Sequence, residues 1–220
     1  TAAGIMPPEK GSVYYKGQDL FTMHEDENRE FRRRNGFVFQ DGALWSNRSV
    51  YENLSLPLEY HYPGMKREEI DSRIRDAIAR VGFRDNPQLR PAQLSGGERK
   101  MIGFIRALMT EPELLFLDTP TANVDSHVAG RIRGIITDLK KSGRTQLICS
   151  HDKELIADIA DYLLVMDSGR ILTHGAYREV LTGQDEQIRE IIGSVIDTDS
   201  VMGEDLLKLL NPKGDNPFEL

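Results

Sequence analysis

Short apolar runs alternate with amphipathic segments after residue 95, and this alternation constrains the fold more than any other feature of the sequence. Residues 114–117 (Leu-Leu-Phe-Leu) have the length of a strand that is buried on both faces. Helical patterns lie on either side of this run, and the next strand-like run follows at residues 145–150. Because strands that alternate with helices are typical of parallel sheets, the sequence predicts an α/β fold with helices flanking the sheet.

Further elements are predicted elsewhere in the chain. Residues 68–81 have isoleucines at helical spacing and end before Gly82, a residue that commonly closes helices. Residues 49–62 contain Pro57, which predicts two short helical pieces, one on each side of the proline. The other predicted helices are residues 24–34, 95–111, 129–141 and 152–160, and the other predicted strands are residues 12–15, 36–40 and 162–166.

Composition and charge exclude several kinds of protein. The net charge is −7 and the isoelectric point about 5.3, which argues against a nucleic-acid surface and against a polybasic membrane patch. No run approaches the roughly 18 apolar residues of a membrane span, so a membrane role would require a partner protein. Cys149 is the only cysteine, which excludes a disulfide framework. Together with the lack of a signal-peptide pattern, this predicts a cytoplasmic compartment.

The five residues Leu94-Ser95-Gly96-Gly97-Glu98 are the strongest local motif. A serine followed by two glycines at a helix start leaves backbone N–H groups uncovered, and the helix N-terminus adds partial positive charge. The motif therefore predicts a turn at which a phosphate can approach the backbone closely. The alternative is a plain glycine loop ahead of a helix.

Three polar residues follow predicted strands. Asp118 ends the run at residues 114–117, where a carboxylate points into the crevice in which α/β sheets bind ligands and can hold Mg²⁺. Gln40 follows one apolar β run, and His151 lies just past another. Taken singly, each has an ordinary alternative, which is a helix cap or turn residue for Asp118 and a structural role for Gln40 and His151.

In order and spacing, these motifs resemble the ABC ATPase family. Gln40 matches the Q-loop glutamine, residues 94–98 match the LSGGQ-type signature motif, and residues 114–118 match the Walker B motif. Residues 122–125 match the D-loop, and His151 matches the switch histidine. The resemblance implies a P-loop NTPase-like parallel sheet with flanking helices, plus a small helical subdomain inserted between the Q-loop and the signature motif.

The resemblance also implies roles for these residues. Two such domains pair head to tail around two ATP molecules, so that the signature motif of one domain faces the nucleotide of the other. In the chain's own site, His151 would contact the γ-phosphate. The residues implied in ATP binding are Gln40, Ser95, Gly96, Gly97, Glu98 and Asp125, and those implied in Mg²⁺ binding are Asp118 and Gln40.

The sequence departs from the family pattern at two places. The P-loop motif G-x-x-x-x-G-K-[ST] does not occur in the 220 residues. Residues 1–4 resemble the end of the helix that follows this loop, so its lysine is expected a few residues upstream. Thr119 occupies the position of the family's catalytic glutamate. Because a threonine hydroxyl has no basic form near neutral pH, we expect slow or absent hydrolysis at this site, although the chain could still complete a site on a different subunit.

The predicted organisation is an ATPase domain at residues 1–183, with a helical subdomain at about residues 41–94, and a C-terminal helical extension at residues 184–220. The apolar residues of the extension have the spacing of two short amphipathic helices, which would either brace a dimer or pack on the subunit itself. The resemblance implies a second nucleotide-binding subunit, identical or different, and integral membrane permease subunits. It places the chain at the cytoplasmic face of the inner membrane, and no nucleic-acid partner is expected.

The stretch at residues 40–58 resembles the ATPases of bacterial MCE/Mla lipid-transport systems, although lipoprotein-releasing and amino-acid-importing relatives share parts of it. We therefore expect a lipid transporter whose permease docks a short cytoplasmic helix near residues 44–60. The alternative is a regulatory or scaffolding subunit that binds nucleotide without hydrolysing it, since Thr119 lacks a carboxylate. ABC-type ATPases of DNA repair are disfavoured because no long coiled coil separates Gln40 from Ser95. An unrelated phosphotransferase would need a placed nucleophile or base, which the sequence lacks.

Overall fold

The computed structural model describes residues 2–183 and 185–195, and the chain divides into two compact units. The first unit is Thr1–Ser150 and the second is His151–Leu220. The part of the predicted C-terminal extension that contains Leu206 and Leu210 lies outside the described residues.

A three-stranded parallel sheet forms the centre of the first unit. Its strands are β3 (Asn35–Val38), β4 (Leu114–Asp118) and β5 (Thr145–Cys149), in the order β3-β4-β5. Val38 pairs with Leu117, and Asp118 pairs with Cys149, so the carboxyl ends of the three strands lie together at one end of the sheet, called the carboxyl edge below. The predicted α/β fold with a parallel sheet is therefore confirmed.

Strand β4 is central because it is apolar on both faces. Leu115, Phe116 and Leu117 are all buried, as expected of an apolar run without alternation. A separate antiparallel hairpin consists of β1 (Tyr14–Tyr15) and β2 (Gln18–Asp19). The first of these strands was predicted and the second was not, since two polar residues carry no strand pattern.

Several helices of the first unit begin at a residue whose side chain caps the helix N-terminus. The helices of this unit are α1 (Glu25–Arg34), α2 (Val50–His61), α3 (Arg67–Arg80), α4 (Gly96–Leu108) and α5 (Ser126–Lys141), with one 3₁₀ turn at Pro91–Gln93. Ser95 caps α4 as predicted, because its Oγ accepts the N–H of Glu98 at 3.2 Å while the Glu98 carboxylate accepts the N–H of Ser95 at 2.7 Å. Helix α4 ends three residues earlier than predicted. Glu111, the residue before Pro112, has a φ of 53°, and a residue in that place is kept out of the helical conformation.

Helix α2 is continuous, so the prediction of two pieces around Pro57 was wrong. A proline inside a helix removes the hydrogen bond to the carbonyl four residues earlier, here that of Asn53. The helix persists because Leu54 and Leu58, on either side of the proline, are fully buried. It packs there against α3 and α4, and this tertiary burial outweighs the local cost of the proline.

The second unit is built around an antiparallel hairpin. Its elements are α6 (Lys153–Ile159), β6 (Tyr162–Asp167), β7 (Arg170–Ala176), α7 (Tyr177–Leu181) and α8 (Glu186–Val195). Strand β6 was predicted, whereas β7 was not. Val165, Val180 and Ile192 form a buried cluster, so α8 packs on its own unit. Within the described ranges, no helix combines the length and the apolar character that a membrane crossing requires.

Candidate functional site

The carboxyl edge of the parallel sheet carries two of the predicted site residues. Asp118 is the last residue of β4, and Gln40 lies two residues beyond the end of β3, the adjacent strand. Gln40 is exposed and Asp118 is partly exposed. Because β3 and β4 run parallel, the two residues lie at the same edge, which is where ligands bind in sheets of this kind.

The start of α4 forms an exposed turn. Ser95 and Gly96 are exposed, and the first N–H groups of a helix have no acceptor within the helix. Hydrogen bonds from Ser95 lower the pKa of Glu98, which keeps this carboxylate charged and bound to the cap. A Cβ built on Gly96 would come no closer than 3.8 Å to the side chain of Arg99, so the turn is open to an approaching anion.

Helix α5 begins beside this turn. Asp125 caps α5, since its Oδ1 accepts the N–H of Val128 at 2.9 Å. A Cβ built on Gly97 would lie 3.0 Å from the Val128 side chain, so Gly97 packs closely against α5. The structure therefore brings Asp125 and the signature motif together at two neighbouring helix starts.

Thr119 has a backbone conformation that is rare for a β-branched residue. Its φ is 42°, in the left-handed region, and its N–H donates to the Cys149 carbonyl at 2.9 Å. Its hydroxyl oxygen is buried without a hydrogen-bond partner. Because such strained residues persist only where their surroundings hold them, the neighbours of Thr119 determine the path of the loop after β4.

Lys100 is one such neighbour, and sequence reasoning missed it. It is 3% exposed on α4, and its Nζ donates to the carbonyls of Thr119 at 2.8 Å and Ala122 at 2.6 Å. Burial lowers the pKa of Lys100, while the carboxylates of Asp118 and Asp41 act in the opposite direction. The only signal in the sequence is that residue 100 lies four positions before Phe104, on the buried face of the helix.

Arg106 binds backbone carbonyls of the loop after β3 in the same way that Lys100 binds those of the loop after β4. Its guanidinium donates to the carbonyls of Ala43 at 2.8 Å and Gly42 at 3.2 Å. Gly42 has a φ of 79°, and a Cβ built on Gly103 would lie 2.5 Å from the Gly42 carbonyl oxygen. Helix α4 and the loop that follows Gln40 are therefore in direct backbone contact.

An apolar groove of about 420 Å³ lies next to this loop. It is lined by Phe39, Ala43, Trp45, Leu56, Pro57, Tyr60, His61 and Arg106. Asn53, which is fully buried, holds the loop at its side. The Asn53 Oδ1 accepts the N–H of Trp45 at 2.8 Å, and its amide nitrogen donates to the carbonyl of Ser49 at 2.9 Å. The groove coincides with the segment at which a permease helix was expected.

We expect His61, which lines this groove, to make the free energy of unfolding depend on pH. Burial lowers the pKa of His61, and the cations Arg29 and Arg33 lower it further while Glu30 opposes them. A histidine whose pKa is lower in the folded state loses stability as the pH falls from its ordinary value of about 6.5 through the lowered pKa. We expect the free energy of unfolding to fall less steeply over this interval in His61→Gln than in the wild type. Denaturant titrations at several pH values between 8 and 5 would measure the two slopes.

The matched control is His127→Gln, which removes an exposed histidine from α5. The contribution of His61 is the difference between the two variants. Equal slopes for His61→Gln and the wild type would contradict this prediction.

The polar residues at the carboxyl edge of the sheet fit the magnesium ion of a bound nucleotide. Mg²⁺ is usually held by one or two protein oxygens together with phosphate oxygens, and Asp118 with Gln40 offers such a pair of donors. No group of three acidic, histidine or cysteine side chains that could bind a metal alone occurs in the described part of the chain. His151, the remaining predicted residue, lies two residues past the end of β5 and is the first residue of the second unit.

Comparisons with known proteins agree on one family. A family model described as "ABC transporter" matches residues 1–122. The methionine import ATP-binding protein MetN of Carboxydothermus hydrogenoformans is 31% identical over 195 residues, which are 88% of this chain and 57% of that protein. MetN 1 of Paraburkholderia xenovorans is 34% identical over 191 residues, 86% of this chain and 55% of that protein. The chain spans a little more than half the length of these curated relatives.

Solved structures give the same result for the fold. The dimeric ATP-binding cassette MJ0796, in a post-hydrolysis state with ADP and Pi, superposes with a TM-score of 0.72 and 26% sequence identity. The superposition covers 79% of this chain and 76% of that cassette. The predicted P-loop NTPase-like fold is thereby confirmed.

Proposed function

Because this chain belongs to the ABC transporter family, we propose that it is the ATP-binding subunit of a membrane transporter. Nucleotide binding drives pairing with a second such subunit, and pairing is transmitted to integral permease subunits. The chain then acts at the cytoplasmic face of the membrane that contains its permease. The dimeric state of the cassette MJ0796 supports the pairing.

The exposed, capped turn at Ser95 is the observation that carries this proposal. Gly96 and Gly97 have no side chain to cover their N–H groups, and the helix N-terminus favours an anion there. In the proposed dimer, this turn binds the γ-phosphate of a nucleotide held by the second subunit. Glu98 keeps the turn in shape through its bonds to Ser95 rather than by contacting phosphate, with which its charge would clash.

The sheet edge would serve the chain's own nucleotide. Members of this family bind ATP with Mg²⁺, and we assign Asp118 and Gln40 as the residues that would hold the ion. Mg²⁺ would neutralise charge on the phosphate oxygens there. On the family resemblance alone, His151 is assigned to a γ-phosphate contact and Asp125 to the surface between the two subunits.

The groove beside Gln40 would receive the permease. Its exposed aromatic side chains, among them Trp45 at 55% exposure and Tyr60 at 54%, offer apolar surface to an amphipathic helix. Arg106 joins the wall of the groove to the loop after Gln40. A movement of the docked helix would therefore reach the sheet edge through this loop.

The transported substrate is the least constrained part of the proposal. The relatives named above are methionine importers, and this does not support the lipid assignment derived from residues 40–58. We keep lipid as the proposed substrate on the resemblance of that stretch, with an amino acid as the competing candidate. Stimulation of ATP turnover of the detergent-solubilised transporter by added phospholipid rather than by methionine would decide for lipid, and the reverse result would remove it.

A substitution at Gly96 tests the nucleotide-binding role. Gly96→Asp places a carboxylate at the first position of α4, where the helix dipole tolerates it but a phosphate is repelled. We expect this variant, assembled with its partner subunits, to bind MgATP at the site it shares with the second subunit at least about 10-fold more weakly than the wild type, as a loss of about 1.4 kcal/mol would produce. Thermal unfolding should change little.

Gly130→Asp is the matched control, since a Cβ at Gly130 meets no atom within 4 Å and the residue is exposed on α5. This control should bind MgATP as the wild type does. Wild-type affinity in Gly96→Asp would refute the role of the turn. Binding with no turnover in the wild type would favour the regulatory alternative, which rests on Thr119.

A further inference from the structure

Lys100 connects two parts of the proposed site that are distant in sequence. Its ammonium group lies on α4, five residues after Ser95, and it donates to the carbonyls at both ends of a turn after β4. That turn is closed by the N–H of Ala122, which donates to the Thr119 carbonyl at 3.1 Å. The two ends of the turn are thus held by a single cation.

The turn is strained, and Lys100 is placed to hold it. Thr119, the first residue of the turn, has a φ of 42°, which is rare for a β-branched residue. A conformation of this kind needs outside contacts to persist. Hydrogen bonds from a buried cation to carbonyl oxygens are charge-assisted and stronger than those between neutral groups. The hydrogen bond that fixes the Thr119 carbonyl therefore depends on the position of α4.

Helix α4 is a rigid rod over this distance. With a rise of about 1.5 Å per residue, Lys100 lies roughly 7 to 8 Å along the axis from the Ser95 turn. The helix is pinned on its buried side by Ile102, Phe104 and Ile105, which are 4% exposed or less. A displacement or ordering of its N-terminus would consequently act on the carbonyls that Lys100 holds.

We infer that Lys100 is a positioning residue that couples the Ser95 turn to the Thr119–Ala122 turn, so that a phosphate bound at the first orders the second. The inference rests on the proposed function, since it requires a nucleotide phosphate at Ser95. It adds to that function a route within one subunit from the nucleotide of the partner to the position that follows the Walker B aspartate. Lys100 contacts neither nucleotide and acts only through the backbone of the turn.

Hydrogen exchange in the assembled transporter tests the coupling. The probes are the amides of Thr119 and Ala122, measured with and without MgATP. In the wild type we expect MgATP to slow exchange at both amides by roughly 10-fold, the effect of about one added hydrogen bond. In Lys100→Met, which keeps an unbranched apolar side chain but lacks the terminal ammonium group, exchange should be fast in both states. Lys100→Arg should recover the response.

Further variants separate coupling from folding. Lys66→Met removes an exposed ammonium at the start of α3 and should respond to MgATP as the wild type does. A purely structural Lys100 would change the thermal stability of Lys100→Met and leave its MgATP response intact, and this result would overturn the inference. Lys100→Gln provides the same comparison if the methionine variant does not assemble. A wild-type transporter that binds MgATP without slowing exchange refutes the coupling alone, whereas one that binds no MgATP refutes the proposed function.

Discussion

Replacing Thr119 by glutamate is expected to raise ATP hydrolysis by the assembled transporter by about 100-fold or more at the site that contains this residue. A positioned general base typically contributes a factor of about 10² to 10⁴, and threonine cannot supply one near neutral pH. Thr119 directly follows Asp118 at the sheet edge, so a carboxylate at this position would lie next to the residue assigned to Mg²⁺. The backbone also accepts the change, because glutamate lacks the β-branch that makes a φ of 42° costly for threonine. Steady-state phosphate release, measured with saturating MgATP, would give the gain.

Thr119→Gln is the control for this substitution. Glutamine has the size of glutamate but no basic oxygen, so turnover should stay at the wild-type level. If glutamate and glutamine gave equal rates in a transporter that binds MgATP, the missing carboxylate would not be what limits hydrolysis.

Replacing Gly103 by alanine is expected to destabilise the first unit by about 3 kcal/mol, the upper end of the usual range for overpacking. The added methyl group would lie 2.5 Å from the Gly42 carbonyl oxygen and 2.7 Å from its Cα, so backbone rather than a side-chain tip would have to move. Arg106 bonds to that same carbonyl and resists the shift. Chemical denaturation of the purified chain would measure the loss.

Gly134→Ala is the matched comparison, because Gly134 is also helical but a Cβ there meets nothing within 4 Å. Alanine in an open helical position should stabilise the chain by about 0.5 to 1 kcal/mol. The two substitutions therefore have opposite expected signs for the same chemical change. A loss below about 1 kcal/mol in Gly103→Ala would contradict the prediction, because it would show that the backbone at Gly42 moves away from the added methyl group at little cost.

The sequence predicted the elements whose signals are local. The buried run at residues 114–117 became the central strand β4, and Ser95 caps α4 with Glu98 as its motif indicates. Ile70, Ile74 and Ile78 form the buried face of α3. These features depend on neighbours within a few residues, so a pattern in the chain is sufficient to predict them.

Predictions failed where distant residues decide the outcome. Helix α2 runs through Pro57 because Leu54 and Leu58 are buried against α3 and α4, a contact that no local pattern contains. Strand β7 was missed because its exposed and partly buried residues do not alternate and give it no clear apolar face, so that only its pairing with β6 defines it.

The family and the α/β fold were thus determined by the sequence alone, because each motif lies at the end of an element that its own neighbours specify. The assignment of the nucleotide-site residues also comes from the sequence and stays a prediction. Only the tertiary structure decided the connections between those motifs. Lys100 and Arg106 bind backbone carbonyls that are 19 and 63 residues away. A long cation on a helix has many available partners in the unfolded chain, and only packing of α4 against the sheet loops selects these carbonyls and excludes water from them.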